Sequence, residues 1–375
     1  MKFSSFVVKI VSPCNLNCTY CYEYNALDDS WKSMPKVMSV DTARQVAMSI
    51  KEHLLPKSPT SIPIVFHGGE PLMAKVGHFS SLIKTFREVL EPEITPLFGL
   101  QTNGLLMSDA FIKLFNEENI SVGVSCDGPP KVNDRFRINH SGKGSGKKLE
   151  TILKRLQGEP CFKNILCVLD ATSDPLEVYE YLIQFNPRVI DFLLPHGTYD
   201  NPPWSKDSFE STAYADWLIK IFDQWFFHSD GKIKIRMFEE IIENTLGGMG
   251  ALESLGLNPV TLLIVASDGS FEGVDTLKVV APNAHVLEMN AHQHKLDDVA
   301  QHPKVTMRQL GEAGLCETCS KCDLRRSCGG GYLPHRYAKS NGFSNPSIYC
   351  RDLYKLISHI EKSVRQLVMS KKQGA

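Results

Sequence analysis

Ser12-Pro13-Cys14-Asn15-Leu16-Asn17-Cys18-Thr19-Tyr20-Cys21-Tyr22 follows directly on an alternating apolar run, Phe6–Val11. Three thiols fall within eight residues, and Pro13, Asn15 and Asn17 suit the tight loop that would bring them to one site. Three thiolates leave a tetrahedral zinc, or a cluster of four irons, one ligand short. The loop is then either a structural zinc site completed by His67 or a distant cysteine, or a site whose last ligand comes from a substrate or cofactor. A second signal, His67-Gly68-Gly69-Glu70-Pro71, closes the next apolar run. Its paired glycines let backbone approach a ligand closely, and the Glu70 carboxylate suits an ammonium group. Taken alone, that segment reads better as a strand-ending turn.

Outside these motifs, the first two hundred residues alternate strand and helix patterns. Strands are expected at Phe6–Val11, Ile62–Phe66, Leu97–Gln101, Ser121–Ser125, Ile165–Leu169 and Val189–Leu194. Amphipathic helices are expected at Thr42–Leu55, Phe79–Leu90 and Leu149–Leu156, the first with Ala43, Val46, Ala47, Ile50 and Leu54 on one face. Such alternation predicts a parallel sheet with right-handed crossovers, either an open doubly wound sheet or a barrel. Residues 197–260 read as helix-rich, with the aromatics of Tyr214–Phe227 forming a packing face, and Leu262–Ala266 and Leu277–Val280 read as short strands. The tail Asp352–Leu367 reads as an amphipathic helix.

Composition narrows the class. The chain of 375 residues carries Lys+Arg 41 against Asp+Glu 42, a balance that argues against nucleic acid or an anionic membrane as partner. No stretch approaches the roughly 20 apolar residues that span a bilayer, and the N-terminus lacks a small-residue cleavage site. A cytoplasmic location is expected. The 11 cysteines are uneven: three lie in 14–21, five in 316–350, and only Cys126, Cys161 and Cys167, read as buried small side chains, lie between. Clustered thiols in a reducing compartment point to metal or redox chemistry.

Together, Cys-x3-Cys-x2-Cys after the first strand and Gly-Gly-Glu-Pro after the second resemble the radical S-adenosylmethionine (SAM) superfamily, strand by strand through about residue 200. The resemblance implies a (β/α)6 partial TIM barrel of the α/β class, in which Cys14, Cys18 and Cys21 hold a 4Fe–4S cluster whose fourth iron takes the amino and carboxylate groups of SAM. It places Tyr20 near the adenine and Gly68, Gly69 and Glu70 near the methionine amino group. Asn103 ends the third strand, and Ser125 and Arg137 match contacts to ribose and carboxylate.

The second cluster, Cys316-x2-Cys319-x2-Cys322-x5-Cys328 followed by Cys350, would on spacing alone suit a zinc ribbon. Behind a radical SAM barrel it resembles the SPASM extension. That resemblance implies one auxiliary 4Fe–4S cluster on Cys319, Cys322, Cys328 and Cys350, hence two clusters in total, with Cys316 a spare thiol. Ligands for a further auxiliary cluster are missing: Ser267–Asp275 has no cysteine, and Tyr332 stands where one would be. The implied organisation is a radical SAM barrel over 1–235, bridging helices and a β-hairpin region over 236–310, and a truncated SPASM-type domain with a C-terminal helix over 311–375.

Sulfatase maturases resemble the chain broadly but carry both auxiliary clusters. The strings around Ser267–Lys278, Cys328–Tyr337 and Asn341–Cys350 look like peptide maturases that join an aromatic ring to a β-carbon, the cyclophane synthases. The expectation is therefore a cyclophane crosslink in a ribosomally made precursor peptide, made through a 5′-deoxyadenosyl radical. The alternatives are thioether formation, epimerisation, sulfatase-maturase-like Ser/Cys oxidation, or a non-catalytic iron–sulfur electron-transfer module. Asp275 and Glu272, then His196, are the candidate bases. Expected partners are a precursor peptide with a leader segment, a flavodoxin or ferredoxin as reductant, and a separate leader-recognition protein.

Overall fold

The structure, a computed structural model, describes residues 3–57, 60–206 and 208–373. Among the described residues ten strands run in chain order: β1 (Ser5–Val11), β2 (Ser61–Gly68), β3 (Thr95–Thr102), β4 (Ser121–Ser125), β5 (Phe162–Val168), β6 (Val189–Leu193), β7 (Lys234–Ile235), β8 (Leu262–Val265), β9 (Ser270–Glu272) and β10 (Val286–Asn290). Contacts divide the chain into two compact units. One comprises Met1–Cys126, Asn133–Ile165 and Thr261–Met307; the other comprises Asp127–Val132, Leu166–Val260 and Arg308–Ala375.

In the first unit, β1 to β4 pair in parallel in sequence order, each crossover running through helix. β2 shows why: Ile62, Ile64 and Phe66 are buried, while Ser61 and Pro63 between them are exposed. The helix Val40–Leu54 buries the expected face, Ala43, Val46, Ala47, Ile50 and Leu54, and its N-terminus is capped by the Ser39 side chain accepting from Thr42 N. Phe66 sits at the centre of an aromatic core, with Phe79 and Phe98 ring centroids 5.2 and 5.3 Å away. The other edge of β1 is taken by β8, parallel, with Phe6 opposite Leu263 and Val8 opposite Val265. β9 and β10 follow antiparallel beyond it.

One expected strand is absent. Leu277–Val280 belongs instead to a 3-10 turn, Asp275–Val279, in which all five side chains are buried. An alternating strand would put Asp275 and Lys278 on opposite faces, whereas a helix of three residues per turn stacks them on one. Both are needed on one side, as the site below shows.

In the second unit, β6 pairs in parallel with β7, and the long helix Cys350–Gln373 packs on Ala213–His228 and Arg236–Thr245. Trp217 and Phe222 are buried in that packing face. Cys126, Cys161 and Cys167 are buried small side chains. No helix among the described residues is long and apolar enough to cross a membrane.

Candidate active site

The cysteine loop is held at its root by the segment that ends β2. Gly69 N donates to Val11 O at 2.8 Å and Glu70 N to Pro13 O at 3.1 Å. Gly68 has φ +132°, and a Cβ there would collide with the Val11 carbonyl; at Gly69 it would strike Pro13 O and the Tyr24 hydroxyl. On their Cβ side the two glycines thus admit the cysteine loop rather than a ligand. Across the loop, Asn17 N donates to Ile138 O at 2.8 Å and Thr19 N to Phe136 O at 3.0 Å, so residues 136–139 form the opposite wall.

Glu70 is fully buried and ties these walls to β3. Its Oε1 accepts from Leu72 N at 2.9 Å and Thr102 Oγ1 at 2.6 Å, and its Oε2 accepts from Asn103 N at 2.8 Å. The Asn103 amide then donates to Asn15 Oδ1 at 2.8 Å and approaches Cys14 Sγ at 3.7 Å. Arg137, buried, donates to the Tyr20 hydroxyl at 2.8 Å. Gln101 Nε2 donates to Ser125 Oγ at 2.9 Å. Every residue expected to contact SAM therefore belongs to the first unit, where the Glu70–Asn103–Asn15 and Arg137–Tyr20 hydrogen bonds reach the cysteine loop.

The donor chemistry fits a polynuclear iron cofactor with an open position. Burial, then the Cys18 charge, pushes the Cys21 thiol up to about 12; burial likewise pushes Cys14 to about 12. Cys14 and Cys21, held neutral by burial, would need a bound metal cation to ionise together. His67, which could have closed a zinc site, faces Asp275, Lys9 and Glu23, and its buried Nδ1 has no hydrogen-bond partner among the described residues.

Beside it lies a buried ionic group. Lys9, 5% exposed in the middle of β1, reaches Glu272 at 2.7 Å, Glu23 at 3.1 Å and Asp275 at 3.3 Å. Lys278 pairs with Glu23, and the Tyr22 hydroxyl donates to Asp275 Oδ2 at 2.9 Å. Burial alone would raise the Asp275 carboxyl; Lys9, with His67, Lys278 and the Tyr22 hydroxyl, reverses this and holds it well below the usual carboxylate range. Lys9, Tyr22, Glu23 and Lys278 are absent from the sequence-based candidates. The available signal was a lysine inside the otherwise apolar run Val7–Val11.

The second unit holds the other thiols. Burial, then the Cys316 thiol in hydrogen-bond contact, then Cys328 and Cys350, push the Cys319 thiol well up. Cys328 rises to about 11 through burial, with Cys350 and Cys322 adding. The four expected ligands thus lie within electrostatic reach of one another, with Cys316 alongside Cys319. Gly329, Gly330 and Gly331 all have positive φ and turn the carbonyls of Gly329 and Gly331 onto the Arg336 guanidinium. Cys350 opens the C-terminal helix, whose Asp352 is locked in a buried pair with Lys206. His196 also lies in this unit, 3.3 Å from His335, and is not grouped with Asp275 and Glu272.

Fold and cysteine loop together define a radical SAM partial barrel. Residues 8–182 match the model of the Radical SAM superfamily. The cysteine-type anaerobic sulfatase-maturating enzyme of Clostridium perfringens is 26% identical over 359 residues, with 91% of each chain covered. The serine-type enzyme of Bacteroides thetaiotaomicron is 24% identical over 367 residues, covering 92% of this chain and 86% of that one. The solved structure of native anSMEcpe with bound AdoMet superposes with a TM-score of 0.82 at 24% identity, covering 97% of this chain and 98% of that one.

Proposed function

We propose that this enzyme oxidises a side chain of a peptide or protein substrate at its β-carbon. The observation that carries the reading is the loop of Cys14, Cys18 and Cys21, left with three thiols and flanked in the same unit by a buried, ionised Asp275. Those cysteines would hold a 4Fe–4S cluster, and Tyr20, Gly68, Gly69, Glu70, Asn103, Ser125 and Arg137 would surround SAM on its open iron. Cys319, Cys322, Cys328 and Cys350 would hold one auxiliary 4Fe–4S cluster. When bound and reduced, by a flavodoxin or ferredoxin, the first cluster with SAM supplies an oxidant able to take an unactivated hydrogen.

The chain's own residues do the rest. Glu70 and Asn103 hold the cysteine loop in register, and Arg137 fixes the Tyr20 ring. Asp275, kept ionised by Lys9 and aligned by Tyr22, is the group that would receive the proton released as the substrate carbon is oxidised. Glu272 shares Lys9 and stands behind it as a partner, and His196 takes third place because it lies in the other unit.

Relatives of both cysteine and serine type support oxidation of a Cys or Ser β-carbon as the first reading, so the cyclophane expectation becomes second. One feature still favours a ring-to-carbon crosslink: no cysteine lies between Cys167 and Cys316, and Tyr332 stands at the remaining ligand position. A leader-recognition protein belongs to that second reading.

The test is anaerobic reconstitution with SAM and a strong reductant, followed by mass spectrometry of Cys-, Ser- and aromatic-containing peptides. A Cys oxidised to an aldehyde loses two hydrogens and, as water enters and hydrogen sulfide leaves, exchanges its sulfur for a carbonyl oxygen. A Ser loses two hydrogens and gains reactivity toward hydrazide, whereas a crosslink loses two hydrogens without it. If no 5′-deoxyadenosine forms, and Cys14→Ala leaves the iron content unchanged, the proposal fails.

A further inference from the structure

The wall opposite the cysteine loop continues into a basic turn. Besides the bonds from Asn17 and Thr19, Leu16 is bridged to Asn139, and His140 Nε2 lies 2.9 Å from Cys14 O. Asn139 folds the chain back on itself: its N–H donates to Lys143 O at 2.8 Å, and its side-chain oxygen accepts from Lys143 N at 3.0 Å. Ser145 Oγ donates to Arg137 O at 2.7 Å and seats the start of the helix Gly146–Leu156 on the same wall. From Arg135 to Leu149 the sequence has five Lys or Arg and no Asp or Glu, in a chain whose net charge is -1. Arg137 turns inward to Tyr20, while Arg135, Lys143, Lys147 and Lys148 are exposed.

Nothing in the fold calls for these lysines. Lys147 and Lys148 sit in the first turn of their helix, where a cation opposes the helix dipole and no acid accompanies them; Leu149, Leu153 and Leu156 supply the buried face. Among the described residues no carboxylate pairs with Lys143, Lys147 or Lys148, whereas Lys84, Lys113 and Lys154 of the same unit each have a glutamate one turn away. Of the two acids that flank the run, Asp134 accepts from Gly146 N at 2.6 Å and Glu150 is the partner of Lys154. A positive face therefore hangs on the wall of the cysteine loop. We propose that it is the docking surface for an acidic one-electron carrier protein, the reductant of the proposed reaction. The inference rests on the reading of Cys14, Cys18 and Cys21 as the ligands of the SAM-binding cluster, and adds where its electron comes in: the carrier is oxidised by one electron, which the site held by the loop receives. Complementary charge suits this encounter. A carrier must find the site, orient and leave again, and electrostatic steering raises the on-rate without a large interface.

Surface plasmon resonance of the reconstituted holoenzyme against an oxidised flavodoxin and an oxidised ferredoxin tests this apart from turnover. At least one should bind, with a Kd that rises steeply with salt. Replacing the three lysines together (Lys143→Gln, Lys147→Gln and Lys148→Gln) should weaken that binding about tenfold, mainly through the on-rate. Replacing Lys84 and Lys113, on the helices Val76–Leu90 and Asp109–Glu117, by Gln should not. In the triple variant 5′-deoxyadenosine formation driven by the reduced carrier should fall, while that driven by dithionite, too small to need the surface, should stay. If dithionite gives none in the parent protein, the reaction reading fails and the binding result still decides this one. The proposal is overturned if neither carrier binds, if the Kd ignores the three lysines, if the Lys84 and Lys113 changes weaken binding equally, or if the triple variant loses the dithionite reaction as well. A raised KM for an acidic peptide at unchanged carrier affinity would assign the face to the substrate and overturn it too.

Discussion

Asp275 joins the candidate chemistry to the buried charges, and removing its charge should separate two measurable events. Asp275→Asn keeps the side-chain shape and the contact to Tyr22 but cannot take a proton. Peptide product, read by mass spectrometry, should fall by about 10²–10⁴-fold while 5′-deoxyadenosine still forms. Lys9→Met acts on stability instead. Leaving three buried carboxyls with one ammonium should cost about 3–5 kcal/mol in urea unfolding. His285 gives a pH signature. The free imidazole titrates near 6.5 and the buried one at about 4, so between those values the unfolded chain binds a proton that the native state refuses. Its contribution is therefore intact above about pH 6.5 and is lost as pH falls toward 4, by roughly 3 kcal/mol. His285→Gln should flatten that limb of a melting-temperature profile. Asp275 and Glu272 were legible as acids in a turn, but their shared partner Lys9 lies more than 260 positions away, and nothing local links them.

At the scale of elements, the glycines after β2 also seat the cysteine loop. Gly68 and Gly69 were read as room for a ligand; their Cβ positions are filled by Val11 O, Pro13 O and the Tyr24 hydroxyl. Gly69→Ala should therefore unseat the cysteine loop while leaving the sheet intact. The measurable result is a large loss of iron on reconstitution with unchanged far-ultraviolet circular dichroism. Strand and helix positions followed the residue pattern closely where a single period ran the length of the element, as in Val40–Leu54 and Ser121–Ser125. The 3-10 turn at Asp275–Val279 escaped because Leu277–Val280 is apolar enough to mimic a buried strand. Its period is set by the need to face Asp275 and Lys278 to the same ions.

At the scale of the whole molecule, the thiol sets fall in separate contact units, so each should load on its own. Reconstituted protein should carry roughly eight irons per chain, and Cys18→Ala or Cys319→Ala roughly four. Cys18→Ala should abolish SAM cleavage; Cys319→Ala should retain it and lose peptide product. Iron assay and 5′-deoxyadenosine yield check both. The sulfatase-maturating relatives match over most of their length, and this changes the order of the two reaction readings without changing the chemistry at the first cluster.

Taken by itself, the sequence determined what depends on neighbours along the chain: the three-thiol loop, the glycine-rich turn that ends β2, and the alternation of strand and helix that makes a parallel sheet. Short-range geometry dictates these, because a spacing of two or three residues admits few conformations. Tertiary structure alone decided that β8 returns to the free edge of β1, that His67 lies near Asp275, Lys9 and Glu23, and that Lys9 gathers three carboxyls from distant segments. Burial sets the strength of those encounters, and burial is a property of the assembled fold that no local pattern encodes.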